Sequence, residues 1–284
     1  MADAFLRALR HEPPDVIVAT HFFPADALAS AKREGWLKAR LVTVITDLFP
    51  HRFWLAREAD AVAVGSLQTK ALCVERGIDD RRIHVTGIPI GARFAQPVAR
   101  DEAMRRTGLD PARRTVLIAS GGMGVGPIAE IVDGLVRRGR PGLQLVVVCG
   151  QNAALAQQLT ARPAGAVPVQ VLGFVQTMPE LMRAADVLIT KPGGLTVTEA
   201  LASGLPMVLC GTIPGQERFN AEFVLEHGAA INAPKPEEAV ARALELLDHP
   251  DRLTEMRCRA QAVGRPRAAE DVVEQLILPA SSAS

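Results

Sequence analysis

The stretch DVLITKPGGLTVTEALASGLPMVLC, residues 186–210, decides the fold. It holds a short apolar run, a glycine turn, a segment with helical spacing and a second apolar run. This order is typical of a parallel sheet covered by helices. Gly193 and Gly194 in the turn allow the backbone to approach a ligand closely. The helix that follows offers unpaired N–H groups and partial positive charge, which favour an anionic phosphate.

Similar apolar runs alternate with helical stretches along the rest of the chain. The runs are DVIVAT (15–20), LVTVITD (41–47), DAVAVGS (60–66), RIHVTG (82–87), TVLIAS (115–120), LQLVVVCG (143–150), VQVLG (169–173), DVLIT (186–190), PMVLC (206–210) and AAIN (229–232). Because most of them are continuously apolar, we expect strands buried on both faces, in doubly wound parallel sheets. The predicted fold class is α/β with two Rossmann-like domains.

The domain boundaries follow from a charged segment that contains Pro and Gly. We expect a partial N-terminal domain at 1–95, a linker at 96–114 that includes a short helix near residues 101–107, and a C-terminal domain with a helical tail at 115–284. Six strands complete a Rossmann-like sheet and four do not, so the first domain is expected to be incomplete. The strand at 15–20 would then be an open edge, which more N-terminal chain or a protein partner is expected to cover.

The composition excludes several classes of function. Net charge is +1, from 32 basic and 31 acidic residues, which leaves no electrostatic footprint for nucleic acid. Aromatic residues make up 4% and Tyr is absent, so base-stacking platforms are not expected. The four cysteines are too far apart for a CxxC motif, and no apolar stretch reaches the roughly 18 residues of a membrane span. We expect a cytoplasmic protein whose membrane contact, if any, is peripheral.

Two strand-to-helix turns of the second domain suit a phosphorylated ligand. In the first, Glu199 lies one turn into the helix, where a carboxylate can accept two hydrogen bonds from a ribose diol. The alternative is a tight turn with an acid that favours the helix dipole. The second turn, GGMGVG at 121–126, lacks the GxGxxG spacing of dinucleotide sites, and the chain has no P-loop motif.

A third segment, CGTIPGQERFNAEF at 210–223, places polar side chains over the first turn of a helix. Gln216, Glu217 and Asn220 supply the paired donors and acceptors that sugar hydroxyls need. The alternative is a capped surface helix. All three segments follow strands, at the edge where open α/β sheets bind ligands.

Two of these segments carry a family resemblance. KPGGLTVTEALASGLPMVL (191–209) and PGQERFNAEFVLEHGAA (214–230) resemble the donor-binding region of diacylglycerol glycosyltransferases, which include monogalactosyldiacylglycerol synthase and the processive glucosyl enzymes. They are similar, more distantly, to the N-acetylglucosaminyltransferase that forms lipid II. The resemblance extends over about residues 12–240.

The resemblance implies a GT-B fold whose C-terminal domain holds UDP-sugar. It implies an inverting reaction, and since no DxD motif occurs, no metal cofactor is expected. The expected donor-binding residues are Lys191, Gly193, Gly194, Leu195 and Thr196 at the diphosphate, Glu199 on the ribose, Gln216, Glu217 and Asn220 towards the sugar and phosphates, Phe174, Val175 and Met178 at the uracil, and Gly121, Gly122 and Gly124 beside the cleft.

The catalytic base is less defined, because the GxxGH-like turn of the relatives does not occur in this chain. His21, Asp47 and His51, at the ends of early strands, are the candidates, with helix capping and loop exposure as alternatives. The nearby aromatics are expected either to contact a lipid acceptor or the bilayer, or to be buried. They are Phe22, Phe23, Phe49, Phe53 and Trp54.

These features predict a hexosyltransferase that acts from a UDP-sugar on a lipid acceptor, with diacylglycerol expected, on the cytoplasmic face of a membrane. One alternative is a UDP-binding module, truncated or dependent on a partner, without catalysis of its own. A lower-ranked alternative is a UDP-sugar epimerase of the same architecture.

Overall fold

The computed structural model describes residues 2–163, 165–211 and 215–278; the side chains of residues 2–4 and of Gln216 lie outside that description. In chain order, the strands are β1 (Val16–Ala19), β2 (Arg40–Val44), β3 (Ala61–Val64), β4 (Ile83–Val85), β5 (Arg114–Ala119), β6 (Leu143–Val148), β7 (Val169–Leu172), β8 (Val187–Thr190), β9 (Met207–Leu209) and β10 (Ala230–Asn232). The helices are α1 (Ala2–His11), α2 (Phe22–Arg33), α3 (Leu67–Glu75), α4 (Arg100–Thr107), α5 (Ile128–Arg137), α6 (Ala153–Thr160), α7 (Met178–Ala184), α8 (Gly194–Ala202), α9 (Gln216–Glu226), α10 (Pro236–Leu247), α11 (Pro250–Val263) and α12 (Ala268–Val272), which continues as a π-helix over Val273–Ile277. Short 3-10 helices cover Arg52–Trp54, Asp80–Arg82 and Ala92–Phe94.

The chain forms two compact units, residues 1–92 with 267–284, and residues 93–266. Each unit has one parallel sheet flanked by helices, so the predicted α/β class with two Rossmann-like units is confirmed. The predicted domain limits differ from this division in two places, the linker and the tail.

The first sheet has the order β1-β2-β3-β4, with Val18 opposite Val42 and Val62 opposite Ile83. Strands β2 and β3 are apolar on both faces, so both faces need a cover. Helix α12 and the π-helix supply one cover, because Val272 packs in a buried cluster on these strands. Helix α12 and the π-helix, the last part of the predicted tail, therefore belong to the first unit, whereas α10 and α11 lie in the second unit, where the tail was expected.

The predicted linker is likewise part of a folded unit. Helix α4 confirms the short helix expected near residues 101–107, and it packs against α7 inside the second unit. Arg100 at its start donates to the buried Asp186 carboxylate at 3.0 Å, which fixes the helix to the amino end of β8. The second unit therefore begins at Arg93, before the expected linker.

The second sheet has the order β10-β9-β8-β5-β6-β7 and is parallel throughout. Ile118 of β5 lies opposite Val147 of β6 on one side and Ile189 of β8 on the other. The chain leaves β5 towards β6 and β7 and later returns to β8, so the strand order reverses between β5 and β8. Ligands of open α/β sheets bind at the carboxyl ends of the strands at such a point.

Candidate functional site

The turn between β8 and α8 lies at this switch point, and a side chain of α9 holds its backbone in place. Buried Asn220 of α9 donates through Nδ2 to the Pro192 carbonyl at 3.1 Å. Gly193 is the N-cap of α8 and makes no side-chain capping bond. The first turn of the helix therefore presents amide groups and the positive end of its dipole to the sheet edge.

Two polar side chains near this turn are buried and donate hydrogen bonds to backbone carbonyls. Asn220 is 1% exposed and supports the turn, whereas the sequence predicted contact with the donor sugar. Thr198 donates from Oγ1 to the Gly194 carbonyl at 2.8 Å, a bond within the helix, and its side chain is buried. Leu195, by contrast, is an exposed apolar side chain, and Thr196 is half-buried.

Glu199 lies one turn into α8, half-buried. Burial raises the pKa of its carboxyl to about 7, and no charge or hydrogen bond of the described residues counteracts this effect. A desolvated carboxylate without a hydrogen-bond donor is unfavourable. A ligand hydroxyl pair would supply the missing donors.

Lys191 and Glu217 join two of the predicted segments. The Lys191 ammonium, directly after β8, donates to the Glu217 carboxylate in the first turn of α9. Both side chains are largely buried at the sheet edge. Gln216 begins α9, but its side chain lies outside the described residues.

The loops after β5 and β6 interlock through two glycines in the left-handed region. A Cβ on Gly124 (φ +58°) would collide with the Cys149 carbonyl, and a Cβ on Gly150 (φ +58°) would collide with the Gly122 carbonyl. Gly121 also has a positive φ, and its position lies beside the Lys191 side chain. This close packing explains why the loop at 121–126 needs several glycines.

Asn152 ties the two loops together and was not expected from the sequence. Its Nδ2 donates to the Gly124 carbonyl at 3.0 Å, and its Oδ1 accepts the Leu155 amide at 3.0 Å as the cap of α6. The signal available in the sequence was an Asn directly before a helical segment. The signal predicts a cap but not the second bond.

The predicted uracil residues lie at the other end of the same sheet edge. Phe174 follows β7 and is 70% exposed, while Val175 and Met178 are half-buried. Gly173 lies against Gly150 of the neighbouring loop. Strand β7 is three strands from β8, which is about 14 Å at the usual spacing of a sheet. That span is comparable with the length of an extended nucleoside diphosphate.

The three catalytic candidates form one cluster in the first unit. The ring of Phe22 is stacked with that of His21 at 4.3 Å between centroids and meets that of His51 edge-on at 4.8 Å. The indole Nε1 of buried Trp54 donates to Asp47 Oδ2 at 3.0 Å. The structure therefore brings His21, Asp47 and His51 together around two aromatic rings.

Hydrogen bonds restrict what the two imidazoles can do. His21 Nδ1 accepts the Phe23 amide at 3.2 Å, and His51 Nδ1 accepts the Phe53 amide at 3.3 Å, each as the cap of a helix. A neutral imidazole that accepts at Nδ1 carries its proton on Nε2. Burial lowers the pKa of His51, although Asp47 opposes this shift, so His51 is neutral near pH 7. Both rings then offer Nε2–H donors.

The aromatic residues near the catalytic candidates are only partly available to a lipid. Trp54 is buried, and the Arg76 guanidinium lies over the Phe49 ring at 4.7 Å. Phe23 and Phe53 are about half exposed, at 54% and 50%. Of the two alternatives that the sequence left open, burial applies to Trp54, whereas Phe23 and Phe53 are exposed enough to contact a lipid.

Among the residues that the structure describes, no group of three or more His, Cys, Asp or Glu side chains is arranged to hold a metal ion. No helix in the described ranges has the length and apolar character to cross a membrane.

Comparison with known proteins gives matches along nearly the whole chain. Residues 1–90 match the monogalactosyldiacylglycerol (MGDG) synthase family, and residues 115–272 match the glycosyltransferase family 28 C-terminal domain. The chain is 32% identical over 271 residues to processive diacylglycerol beta-glucosyltransferases of Bacillus cereus (strain AH187) and Bacillus thuringiensis (strain Al Hakam), covering 95% of this chain and 69% of each relative.

Solved structures share the fold at lower identity. Acinetobacter baumannii MurG superposes with a TM-score of 0.70 at 21% identity, over 96% of this chain and 76% of that one. A UDP-GlcNAc 2-epimerase from Neisseria meningitidis, bound to UDP-GlcNAc, superposes with a TM-score of 0.73 at 14% identity, over 98% and 80%. At these identities the likeness concerns the two-domain GT-B fold alone.

Proposed function

We propose that the chain, which belongs to the diacylglycerol glycosyltransferase family, transfers a hexose from a UDP-sugar to a lipid acceptor. Its MGDG synthase and family 28 segments are the two parts of the chain that match family models. Diacylglycerol is the acceptor we propose, because the relatives at 32% identity are named diacylglycerol glucosyltransferases. The product is a glycolipid.

The β8–α8 turn carries the proposal. It combines an N-terminus without a side-chain cap with a half-buried Glu199 that lacks a donor. The amides suit the diphosphate, and the carboxylate suits the ribose diol. Lys191 adds a cation beside the same turn. The uracil would then extend towards Phe174 and Val175, along the sheet edge.

The reaction we propose is a single inverting displacement. The acceptor hydroxyl oxygen bonds to the anomeric carbon, the bond from that carbon to the diphosphate oxygen breaks, and UDP leaves. The α8 amides and Lys191 stabilise the charge on the leaving group, and we propose that no metal cofactor is required. The hydroxyl proton passes to a base, for which Asp47 is the candidate with a suitable acceptor atom. His21 and His51 act as Nε2–H donors.

The surface of the first unit around Phe23 and Phe53 suits a peripheral contact with a membrane. Exposed Phe23 and Phe53 lie beside the imidazole cluster, and the Arg52 guanidinium lies over the Phe53 ring at 4.8 Å. Exposed aromatic side chains with a cation beside one of them favour the interface of an anionic bilayer. We propose that the protein meets its lipid there, on the cytoplasmic face.

The test is to incubate the purified protein with UDP-glucose or UDP-galactose and vesicles that contain diacylglycerol. We expect a β-glycosylated diacylglycerol and free UDP in equal amounts, from only one of the two donors. Calorimetric binding of UDP without transfer would instead support a UDP-binding module. Release of an epimerised sugar without lipid product would support an epimerase.

A further inference from the structure

We propose that Arg93 is a positioning residue for the donor's nucleobase, because its guanidinium holds the loop between β7 and α7. This inference rests on the proposed function, which assigns Phe174 and Val175 of that loop to the uracil. Arg93 is distant in sequence from the loop and lies where the chain enters the second unit. It belongs to no motif that the sequence pattern predicts.

One guanidinium connects the loop backbone to the helix that follows it. Arg93 Nη1 donates to the Gln176 carbonyl at 2.8 Å, and Nη2 pairs with the Glu180 carboxylate in the first turn of α7. The guanidinium is planar, so these two bonds fix the loop and the helix relative to each other. Gln176 directly follows the residues assigned to the base.

The partner carboxylate explains why Arg93 keeps this position. Glu180 is 5% exposed, and its Oε2 atom has no hydrogen-bond partner among the described residues. A buried carboxylate that lost its cation would be strongly unfavourable, so Arg93 is held against α7.

A second bond fixes the backbone of the same segment. Arg183, one turn along α7, donates from Nη2 to the Phe94 carbonyl at 2.8 Å. The stretch at residues 93–94 is thus joined to α7 at two successive turns. The backbone that carries the Arg93 side chain is therefore fixed relative to α7.

The start of the loop has little side-chain packing to define its shape. Phe174 is 70% exposed, and Gly173 is exposed as well. Backbone ties such as the Arg93–Gln176 bond consequently set where residues 173–175 lie. Loss of the tie would loosen the base contacts, while the diphosphate contacts at α8, three strands away, would persist.

The test compares the dissociation constants of UDP and ADP by calorimetry. The variant is Arg93→Ala combined with Glu180→Gln, which removes the buried Glu180 charge together with its Arg93 partner. Arg93→Lys is a second variant that keeps the charge but loses the planar fork. The matched control is Arg105→Ala, an exposed arginine of α4 that pairs with Glu102.

We expect both Arg93 variants to bind UDP about tenfold more weakly, the loss of one charged hydrogen bond, with ADP affinity nearly unchanged. The preference for UDP over ADP falls by the same factor, and Arg105→Ala keeps it. A folded double variant with the wild-type preference would overturn this inference alone. A wild-type protein that binds no UDP would overturn the proposed function as well.

Discussion

The β8–α8 sheet edge and the imidazole cluster of the first unit are built in opposite ways. The former is made mostly of backbone: the α8 amides, the glycines at 121–126 and the turn carbonyls that Asn220 and Asn152 hold. The latter is made of side chains that pack on one another, with Phe22 and Trp54 between His21, His51 and Asp47. Substitutions of the glycines should therefore act sterically at the first region, whereas substitutions in the imidazole cluster should act chemically.

The largest expected effect is that of Gly124→Ala. The new methyl group would collide with the Cys149 carbonyl, and φ of +58° is already unfavourable for alanine. We expect the second unit to lose several kcal/mol of stability, about 3 or more, and to lose UDP binding. Denaturant unfolding and calorimetry measure both.

Gly142→Ala is the matched control, since Gly142 also has a positive φ (+78°) but nothing within 4 Å of an added Cβ. Its cost should be about 1 kcal/mol, from the backbone alone. If the two variants lose equal stability, the interlocked loops do not explain the glycine at 124.

The next effect concerns the pH dependence of UDP affinity through Glu199. Its pKa is raised to about 7 by burial, and ribose hydroxyls donate best to the ionised form. Affinity should rise with pH up to about 7 and then level off, falling up to about tenfold per pH unit below that point. Glu199→Gln should bind UDP about 1–3 kcal/mol more weakly at pH 8 and without this pH dependence. A wild-type affinity that is constant from pH 5 to 8 would remove Glu199 from the ribose.

The same carboxyl should destabilise the empty protein as pH rises. Its pKa is about 7 in the folded chain against an ordinary 4.5, so the unfolded state releases its proton first. Stability should thus be lost between pH 4.5 and 7, by about 2–3 kcal/mol, and not beyond. Glu199→Gln should remove this part of the pH profile in denaturant unfolding. An identical profile in the two proteins would show that Glu199 is not desolvated.

The contrast between the regions also marks what the sequence can predict. The glycines and Glu199 were identifiable because strand-to-helix turns impose local spacing on them. Asn220 was identified, but its burial under Pro192 was not, since that contact spans 28 positions. The pairing of Arg93 with Glu180 spans 87, and the packing of the tail on β2 and β3 is also long-range. Contacts of this kind depend on how elements meet in three dimensions, which local patterns do not encode.

A smaller effect, on transfer, distinguishes the roles of the imidazole of His51. His51→Asn keeps an acceptor for the Phe53 amide and loses the Nε2–H donor, while His51→Gln keeps a donor at that distance and weakens the cap. We expect Gln to retain transfer within a few-fold and Asn to lose about tenfold. Stability should follow the opposite order, because the cap contributes about 1 kcal/mol. Equal loss of transfer in both variants, with folding intact, would favour His51 as the base.

The smallest expected effect is on binding to vesicles. Phe23→Ser and Phe53→Ser each remove an aromatic ring that is about half exposed. Each should weaken binding to anionic vesicles with diacylglycerol by about 1 kcal/mol in a sedimentation assay, with UDP affinity unchanged. Val74→Ser on α3 is the control, since Val74 is an exposed apolar residue of the same unit. If Val74→Ser weakens binding as much, the contact is a general property of the unit's surface. If neither Phe matters, the lipid reaches the imidazole cluster by another side of the protein.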